Sequence, residues 1–400
     1  MGVRFRWHSG DPSGVVPPEP PPPRRRGRML AILLIALVAL CAGIRWRTRQ
    51  GLAAARADLQ AQVDREVLAL QAGQLDALSE VLDGRYAPWL RYHQQRFARE
   101  SAWYAARSGA RVLVEAVQLT SDRAVAQVRL WEGTVRTGRS SQWYFRRVDG
   151  EWRHTPPTLD AWGMPASFET EHLCLVAQGP DRELVARLLP DLEALRTGLL
   201  RLYGPAPQTT GPTGQITIRV LPYGASAEGG NTVPSPHLAL ELWSDAERVS
   251  VLSRDLRAAV ARVVVSSLLG RSQPRPGDWW LVEALAVFHA GAWVPEWRAT
   301  LRQSLADGSY RQYLTFEAYG AVSRARELRS LPPDAQRAQP LAYTLGELLT
   351  ARYPSGQIRA LLETIAAGSS SWAAAESVLG ADRSALEASW RLYLQERYGP

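Results

Sequence analysis

The chain has 400 residues, enough for two or three domains, and nearly half of them are apolar. Its formal net charge is +8, and all 47 basic residues are arginine. The absence of lysine excludes Schiff-base chemistry and a phosphate-binding loop of the G-x-x-x-x-G-K-[ST] type. Most arginines beyond position 49 are scattered among acidic residues, so we predict no nucleic-acid partner.

The first 28 residues contain the run PPEPPPPRRRGR, whose composition is typical of a disordered, extended arm. Residues 29–46 follow, with the uninterrupted apolar run MLAILLIALVALCAGI and then Trp46. We predict a single transmembrane helix here, with the arginine-rich amino terminus in the cytoplasm and the bulk of the chain extracytoplasmic. The alternatives are a cleaved signal peptide, which would have an unusually long charged lead, and a buried core helix.

Residues 51–157 are predicted to form the next domain. Residues 51–82 and the stretch APWLRYHQQRFARESAW favour helices, whereas three later runs that alternate apolar and polar residues favour strands. Asp149 and Gly150 favour a hairpin turn between the last two strands. The segments LALQAGQLDAL and YFRRVDGEWRHTPP resemble the nuclear-transport-factor-2-like (SnoaL-like) family.

That resemblance implies an α+β cone around an apolar pocket, in a family with both enzymes and binding proteins. Two histidines, His93 and His154, are given no role. The candidate pocket residues, for which ordinary core packing is the alternative, are Trp89, Tyr92, Trp103, Tyr104, Trp131, Trp143 and Trp152.

Residues 158–166 are a predicted linker, and residues 167–400 a second domain with a small sheet and a helical C-terminal half. FETEHLCLVAQG, QITIRVLPY and HLALEL favour strands, and a helix is predicted to begin near the N-cap Asp278. The order of elements, the segment WLVEALA and the closing LEASWRLYL resemble the peptidase MA-like family of gluzincin zinc metallopeptidases. The fold class predicted for the whole chain is α+β.

The resemblance implies a zinc site that this sequence does not supply. In the family, H-E-x-x-H provides two zinc-binding histidines and a general-base glutamate, and a second helix provides a third-ligand glutamate. Glu283 matches that third ligand, but Ala261, Arg262 and Val265 occupy the H-E-x-x-H positions. No two of the six histidines are four residues apart, so no other register restores the motif. We therefore predict no catalytic residues, no metal and no cofactor.

A buried carboxylate needs a partner, so Arg262 is the predicted charge partner of Glu283. The alternative is that Arg262 reaches solvent while Glu283 bonds backbone or water. Trp280, His289 and Tyr343 are possible cleft residues, although core packing is the alternative for Trp280 and Tyr343.

The sequence as a whole favours a non-catalytic, membrane-anchored pseudopeptidase of the bacterial cell envelope that binds or scaffolds a peptide or protein. One alternative is a metallopeptidase whose unconventional zinc site includes Glu283. The other is a structural envelope protein without a ligand. An oligomeric state does not follow from the sequence.

Overall fold

The computed structural model describes residues 24–204, 215–222, 231–271, 275–291, 293–294, 297–311 and 335–399. These residues form a mixed α+β structure with two four-stranded sheets, which confirms the predicted fold class at that level. The described residues up to Ala55 form one compact unit, and those from Arg56 onward form a second.

The first helix, α1 (Arg24–Gln71), contains the apolar run at residues 29–44. Among the described residues, no helix is long and apolar enough to cross a membrane. The predicted transmembrane helix at residues 29–46 is therefore wrong, and so is the single-pass localisation with a cytoplasmic amino terminus and an extracytoplasmic bulk. The apolar run spans only about 24 Å, against roughly 30 Å for a hydrocarbon core, and Arg45, Arg47 and Arg49 follow it directly.

The N-terminal half of the second unit packs helices against an antiparallel sheet. Helix α1 is followed by α2 (Leu75–Val81) and α3 (Ala87–Ala105). The strands pair in chain order: β1 (Ala110–Leu119), β2 (Arg123–Glu132), β3 (Val135–Val148) and β4 (Glu151–His154). The predicted hairpin turn is confirmed, because Asp149 and Gly150 have φ angles of 51° and 86°. Alternate residues of β2 face the core, namely Ala124, Ala126, Val128 and Leu130.

The second sheet lies in the C-terminal half. Its strands are β5 (Ala166–Glu169), β6 (Leu173–Ala177), β7 (Ile216–Leu221) and β8 (Thr232–Pro234), in that order across the sheet. The first pair is antiparallel and the other two pairs are parallel. Within the predicted linker lies a short helix, α4 (Leu159–Trp162), and the long helix α5 (Asp181–Tyr203) follows β6.

The prediction of a strand at HLALEL is wrong. A single 3-10 turn, Pro236–Leu238, is followed by irregular backbone with bends. The reason is that side chains of the N-terminal half, and no neighbouring strand, bond this backbone. Tyr104 Oη donates to the carbonyl oxygen of Leu240, and the amide of Leu240 donates to Glu100.

Helices make up the remainder of the described chain. A capping box begins α6 (Asp245–Leu268), because Ser244 and Glu247 bond each other's backbone amides. Asp278 precedes α7 (Trp279–His289) as predicted, but its side chain does not cap the helix and instead pairs with Arg271. The other helices are α8 (Trp297–Asp307), α9 (Ala335–Arg352), α10 (Ser355–Ala366), α11 (Ser371–Leu379) and α12 (Arg383–Tyr398).

Candidate functional site

Helix α7 lies in the middle of the C-terminal core, and every residue from Trp280 to Val287 is buried. Glu283 is the one charged residue in that stretch. Helix α9 packs closely on one side of α7, and the contact requires a glycine. A Cβ on Gly346 would meet the carbonyl oxygen of Ala284 at 2.2 Å and Cβ of Phe288 at 2.6 Å. The position of Glu283 is therefore set by tight packing along its own helix.

Helix α6 supplies the partner of Glu283 from another side. Arg262 Nε donates to Oε1 of Glu283 at 3.0 Å, and Nη2 donates to Oε2 at 3.0 Å. The Glu283 side chain is 4 % exposed and the Arg262 side chain 32 % exposed. Planar guanidinium groups match carboxylates in this two-bond geometry. The two side chains are thus paired in the structure, with that of Glu283 buried and that of Arg262 partly exposed.

Ala261 and Val265, the other two residues at the predicted H-E-x-x-H positions, carry no polar side chain. Ala261 and Val265 are fully buried on α6 and belong to the apolar core that also includes α7. Among the described residues, no group of three or more His, Cys, Asp or Glu side chains could hold a metal ion. Both oxygens of Glu283 already accept from Arg262. The residues around Glu283 therefore do not fit zinc, which needs about three protein ligands in a catalytic site.

Two of the three possible cleft residues, Trp280 and Tyr343, pack against other aromatic rings. Trp280 is buried, stacks on Trp372 with ring centroids 4.6 Å apart, and donates through Nε1 to Ser371. Tyr343 lies 5.6 Å from Phe288 between ring centroids, and it also contacts the rings of Trp293 and Trp297. Trp280 is consequently a packing residue, whereas Tyr343 belongs to a half-buried aromatic cluster.

His289 lies at the end of α7, with Nε2 2.6 Å from the hydroxyl of Tyr203. Burial lowers the pKa of His289 to about 4 and raises the pKa of Tyr203 above its usual range. At neutral pH the tyrosine hydroxyl therefore keeps its proton and the imidazole is uncharged. His289 Nε2 therefore has the Tyr203 hydroxyl as its hydrogen-bond partner.

A second charged group, which we did not predict, lies where residues 237–243 meet the N-terminal half. The buried carboxylate of Glu241 accepts from Arg96 Nη2 at 2.9 Å and from Arg99 Nε at 2.6 Å. Burial opposes the charged form, but the two arginines outweigh it and lower the pKa of Glu241 to about 2. The sequence signal was the same as for Glu283, a single charge inside an apolar run, here LALEL.

Two buried histidines lie beside this group. His154 Nδ1 is 2.8 Å from Oε2 of Glu66. His93 Nδ1 is 3.5 Å from Oε2 of Glu100, and neither ring nitrogen of His93 has a closer polar partner among the described residues. Most of the candidate pocket aromatics are packed around these rings or in the adjoining core, with Trp89 4.1 Å from His93 and Trp143 4.9 Å from His154 between ring centroids.

Comparison with protein-family models and with curated proteins finds no match to this chain.

Proposed function

We propose that this chain is a pseudopeptidase that binds or scaffolds a peptide or protein without cutting it. In this proposal residues 167–400 are a gluzincin-type peptidase-like domain, and residues 51–157 are a SnoaL-like domain. The observation that carries the proposal is the two-bond contact of Arg262 with Glu283. It supplies a positive partner to a buried carboxylate, and in this proposal Glu283 takes the position of the third zinc ligand of gluzincin peptidases.

The chemistry around the pair supports a loss of catalysis. Peptide hydrolysis needs an activated nucleophile and a place that stabilises developing negative charge. Arg262 stands where a general base would be needed, and a guanidinium stays protonated at any physiological pH. Ala261 and Val265 are buried aliphatic residues that cannot hold a metal-bound water.

The arrangement of helices supports the peptidase-like part of the proposal. The family resemblance requires that the helix with the H-E-x-x-H positions and the helix with the third-ligand glutamate face each other. Helices α6 and α7 do so through Arg262 and Glu283, 21 residues apart in sequence. The order of elements in the N-terminal half supports the SnoaL-like part of the proposal. Helices α1, α2 and α3 come before a four-stranded antiparallel sheet.

The test is the metal content of the purified full chain after dialysis first against zinc and then against buffer. We expect far less than one zinc per chain by elemental mass spectrometry, and no hydrolysis of a casein substrate. The matched control is Glu283→Ala, which should hold as little zinc as the unchanged chain. One tightly bound zinc per chain that is lost in Glu283→Ala, with chelator-sensitive hydrolysis, would overturn the proposal in favour of a metallopeptidase.

A further inference from the structure

Four aromatic side chains of α7, α8, α9 and the connection from α7 to α8 form a cluster, here called the aromatic patch. Its members are Phe288, Trp293, Trp297 and Tyr343, and each is partly exposed. Tyr343 contacts the other three rings, at centroid distances between 5.3 and 6.2 Å. The rings of Trp293 and Trp297 are nearly perpendicular, at 84°, an edge-to-face arrangement that aromatic pairs prefer. The patch is therefore a packed aromatic surface that solvent reaches.

The aromatic patch carries hydrogen-bond donors that the described part of the chain does not use. The indole N–H groups of Trp293 and Trp297 have no hydrogen-bond partner among the described residues, nor has the hydroxyl of Tyr343, and none of these atoms is buried. Tyr398 differs, because it stacks on Trp293 but donates its hydroxyl to Glu347. An indole nitrogen can only donate. A ligand that fits this surface must therefore present hydrogen-bond acceptors together with apolar area.

A proline-rich segment has that chemistry. Proline has a carbonyl acceptor but no N–H, so a run of prolines offers acceptors without donors. Such a run favours the polyproline II helix, which has three residues per turn and rises about 3.1 Å per residue. Aromatic-lined grooves bind these helices because the conformation is already formed and little entropy is lost on binding. The unused donors and the rings of the aromatic patch match both properties.

This chain contains such a segment outside the described residues. The run PPEPPPP, residues 17–23, has six prolines and ends directly before Arg24, where α1 begins. At three residues per turn, two faces of this run consist of proline alone, and Glu19 lies on the third face with Pro22. Across the aromatic patch, the ring-to-ring steps on the two sides of Tyr343 are 6.2 and 5.6 Å. About four residues of a polyproline II helix cover both steps, so the run is long enough.

We propose that the aromatic patch binds a proline-rich chain in the polyproline II conformation, and that its occupant is residues 17–23 of this chain. The rings pack against the pyrrolidine rings, and the indole N–H groups and the Tyr343 hydroxyl donate to proline carbonyl oxygens. This inference rests on the peptide-binding function proposed above, to which it adds a ligand class. The zinc measurement tests that function separately, because zinc content does not depend on what the aromatic patch binds.

The test is hydroxyl-radical footprinting of the full chain, which reports the solvent accessibility of single side chains by mass spectrometry. It compares the unchanged chain with an arm variant, the full chain in which the six prolines of residues 17–23 are replaced by serine. We expect Trp293 and Trp297 to react about threefold faster in the arm variant, because the bound segment no longer covers them. Trp103, a partly exposed tryptophan of α3, is the internal control and should react equally in both chains.

A synthetic peptide of residues 15–26 should restore the protection when it is added to the arm variant. The same peptide with serine in place of its six prolines should not. Protection that does not depend on the concentration of the unchanged chain means that the arm binds within its own copy, and concentration-dependent protection means that it binds another copy; both support the proposal. Equal reactivity of the two chains, or equal protection by both peptides, would overturn it.

The affinity of the labelled peptide for the arm variant, measured by fluorescence anisotropy, assigns the binding to the aromatic patch. Trp297→Ala should weaken binding about tenfold or more, as expected for a central aromatic contact. Tyr343→Phe keeps the ring and removes only the donor, and it should weaken binding about threefold. Trp103→Ala is the matched control and should leave the affinity unchanged. Unchanged affinity in both patch variants would refute the proposal, and Tyr343→Phe decides alone if Trp297→Ala does not fold.

Discussion

Arg262 and Glu283 share two hydrogen bonds, but the two side chains differ in exposure: 32 % of the arginine and 4 % of the glutamate is accessible to solvent. The free-energy cost of losing one partner should therefore differ from the cost of losing the other. An arginine at that exposure can turn outward when its partner is lost, because part of its side chain is already accessible to solvent. A glutamate in the core cannot, and it must protonate or remain charged without compensation.

We therefore expect Arg262→Ala to cost about 3 kcal/mol of unfolding free energy and Glu283→Ala only about 1 kcal/mol. Replacement of both residues by apolar ones of similar size, Arg262→Met with Glu283→Leu, should restore stability to within about 1 kcal/mol of the unchanged chain. Urea unfolding of the three variants measures all of these values. If the two single changes cost equal amounts of unfolding free energy, and the double variant lost the sum of both, an ionic role for this contact would be contradicted.

A second prediction concerns the geometry of α6 and α7. If these helices have the arrangement of a gluzincin site, the triple change Ala261→His, Arg262→Glu and Val265→His should create a zinc site completed by Glu283. Two histidines four residues apart lie on one helix face and can share one ion. We expect about one zinc per chain by elemental mass spectrometry.

Adding Glu283→Ala to the triple variant should release that zinc, while Glu347→Ala, which removes a carboxylate from α9, should not. The two added imidazoles enter a fully packed region, so circular dichroism must first show that the triple variant is folded. A folded triple variant that retains no zinc would count against the peptidase-like arrangement.

Sequence reasoning was most successful where a local pattern has one physical solution. The alternation of β2 and the turn at Asp149 and Gly150 are correct because a half-buried strand and a left-handed turn each leave a direct trace in the sequence. Arg262 was assigned to Glu283 because a lone carboxylate in an apolar helix must find a positive charge. Both arguments need only local sequence or one electrostatic requirement.

The errors arose where a segment's environment comes from distant residues. HLALEL has the composition of a strand, but its backbone partners are Glu100 and Tyr104, about 140 residues earlier in the chain. For Trp280 both a cleft position and core packing were open, and its stacking on Trp372 of α11 could not be predicted from the sequence. A local sequence pattern does not show which distant residue a buried aromatic ring will pack against.

A third prediction tests the close contact of α7 with α9. Gly346→Ala places a methyl group against the backbone of Ala284 and the side chain of Phe288, so the helices must separate. We expect a loss of about 2–3 kcal/mol in unfolding free energy. Gly198→Ala in α5 is the control, since nothing lies within 4 Å of its added methyl group. That change should stabilise the chain by about 0.5–1 kcal/mol, because alanine favours a helix interior. If Gly346→Ala caused no loss of unfolding free energy, α7 and α9 would not be in tight contact at this position.

The last prediction concerns acid stability at Glu241. Its pKa is lowered from an ordinary value near 4.5 to about 2 in the folded chain, where Arg96 and Arg99 outweigh the effect of burial. A carboxylate with a lowered folded-state pKa contributes stability that is complete above its unfolded pKa and is lost as the pH falls toward the folded one. Glu241 should therefore contribute at pH 5 and above, and its contribution should disappear between about pH 4.5 and pH 2.

Glu241→Gln is expected to remove about 2–3 kcal/mol of unfolding free energy at pH 6, and less as the pH is lowered through this window. Urea unfolding at a series of pH values gives the unfolding free energy of the chain and of Glu241→Gln as a function of pH. The two curves should converge near pH 2. Glu151→Gln is the control, because it removes an exposed ion pair with Arg153 and should leave the curve nearly unchanged. Parallel curves for the chain and its Glu241→Gln variant would mean that the Glu241 carboxylate is no more stabilised in the folded state than in the unfolded one.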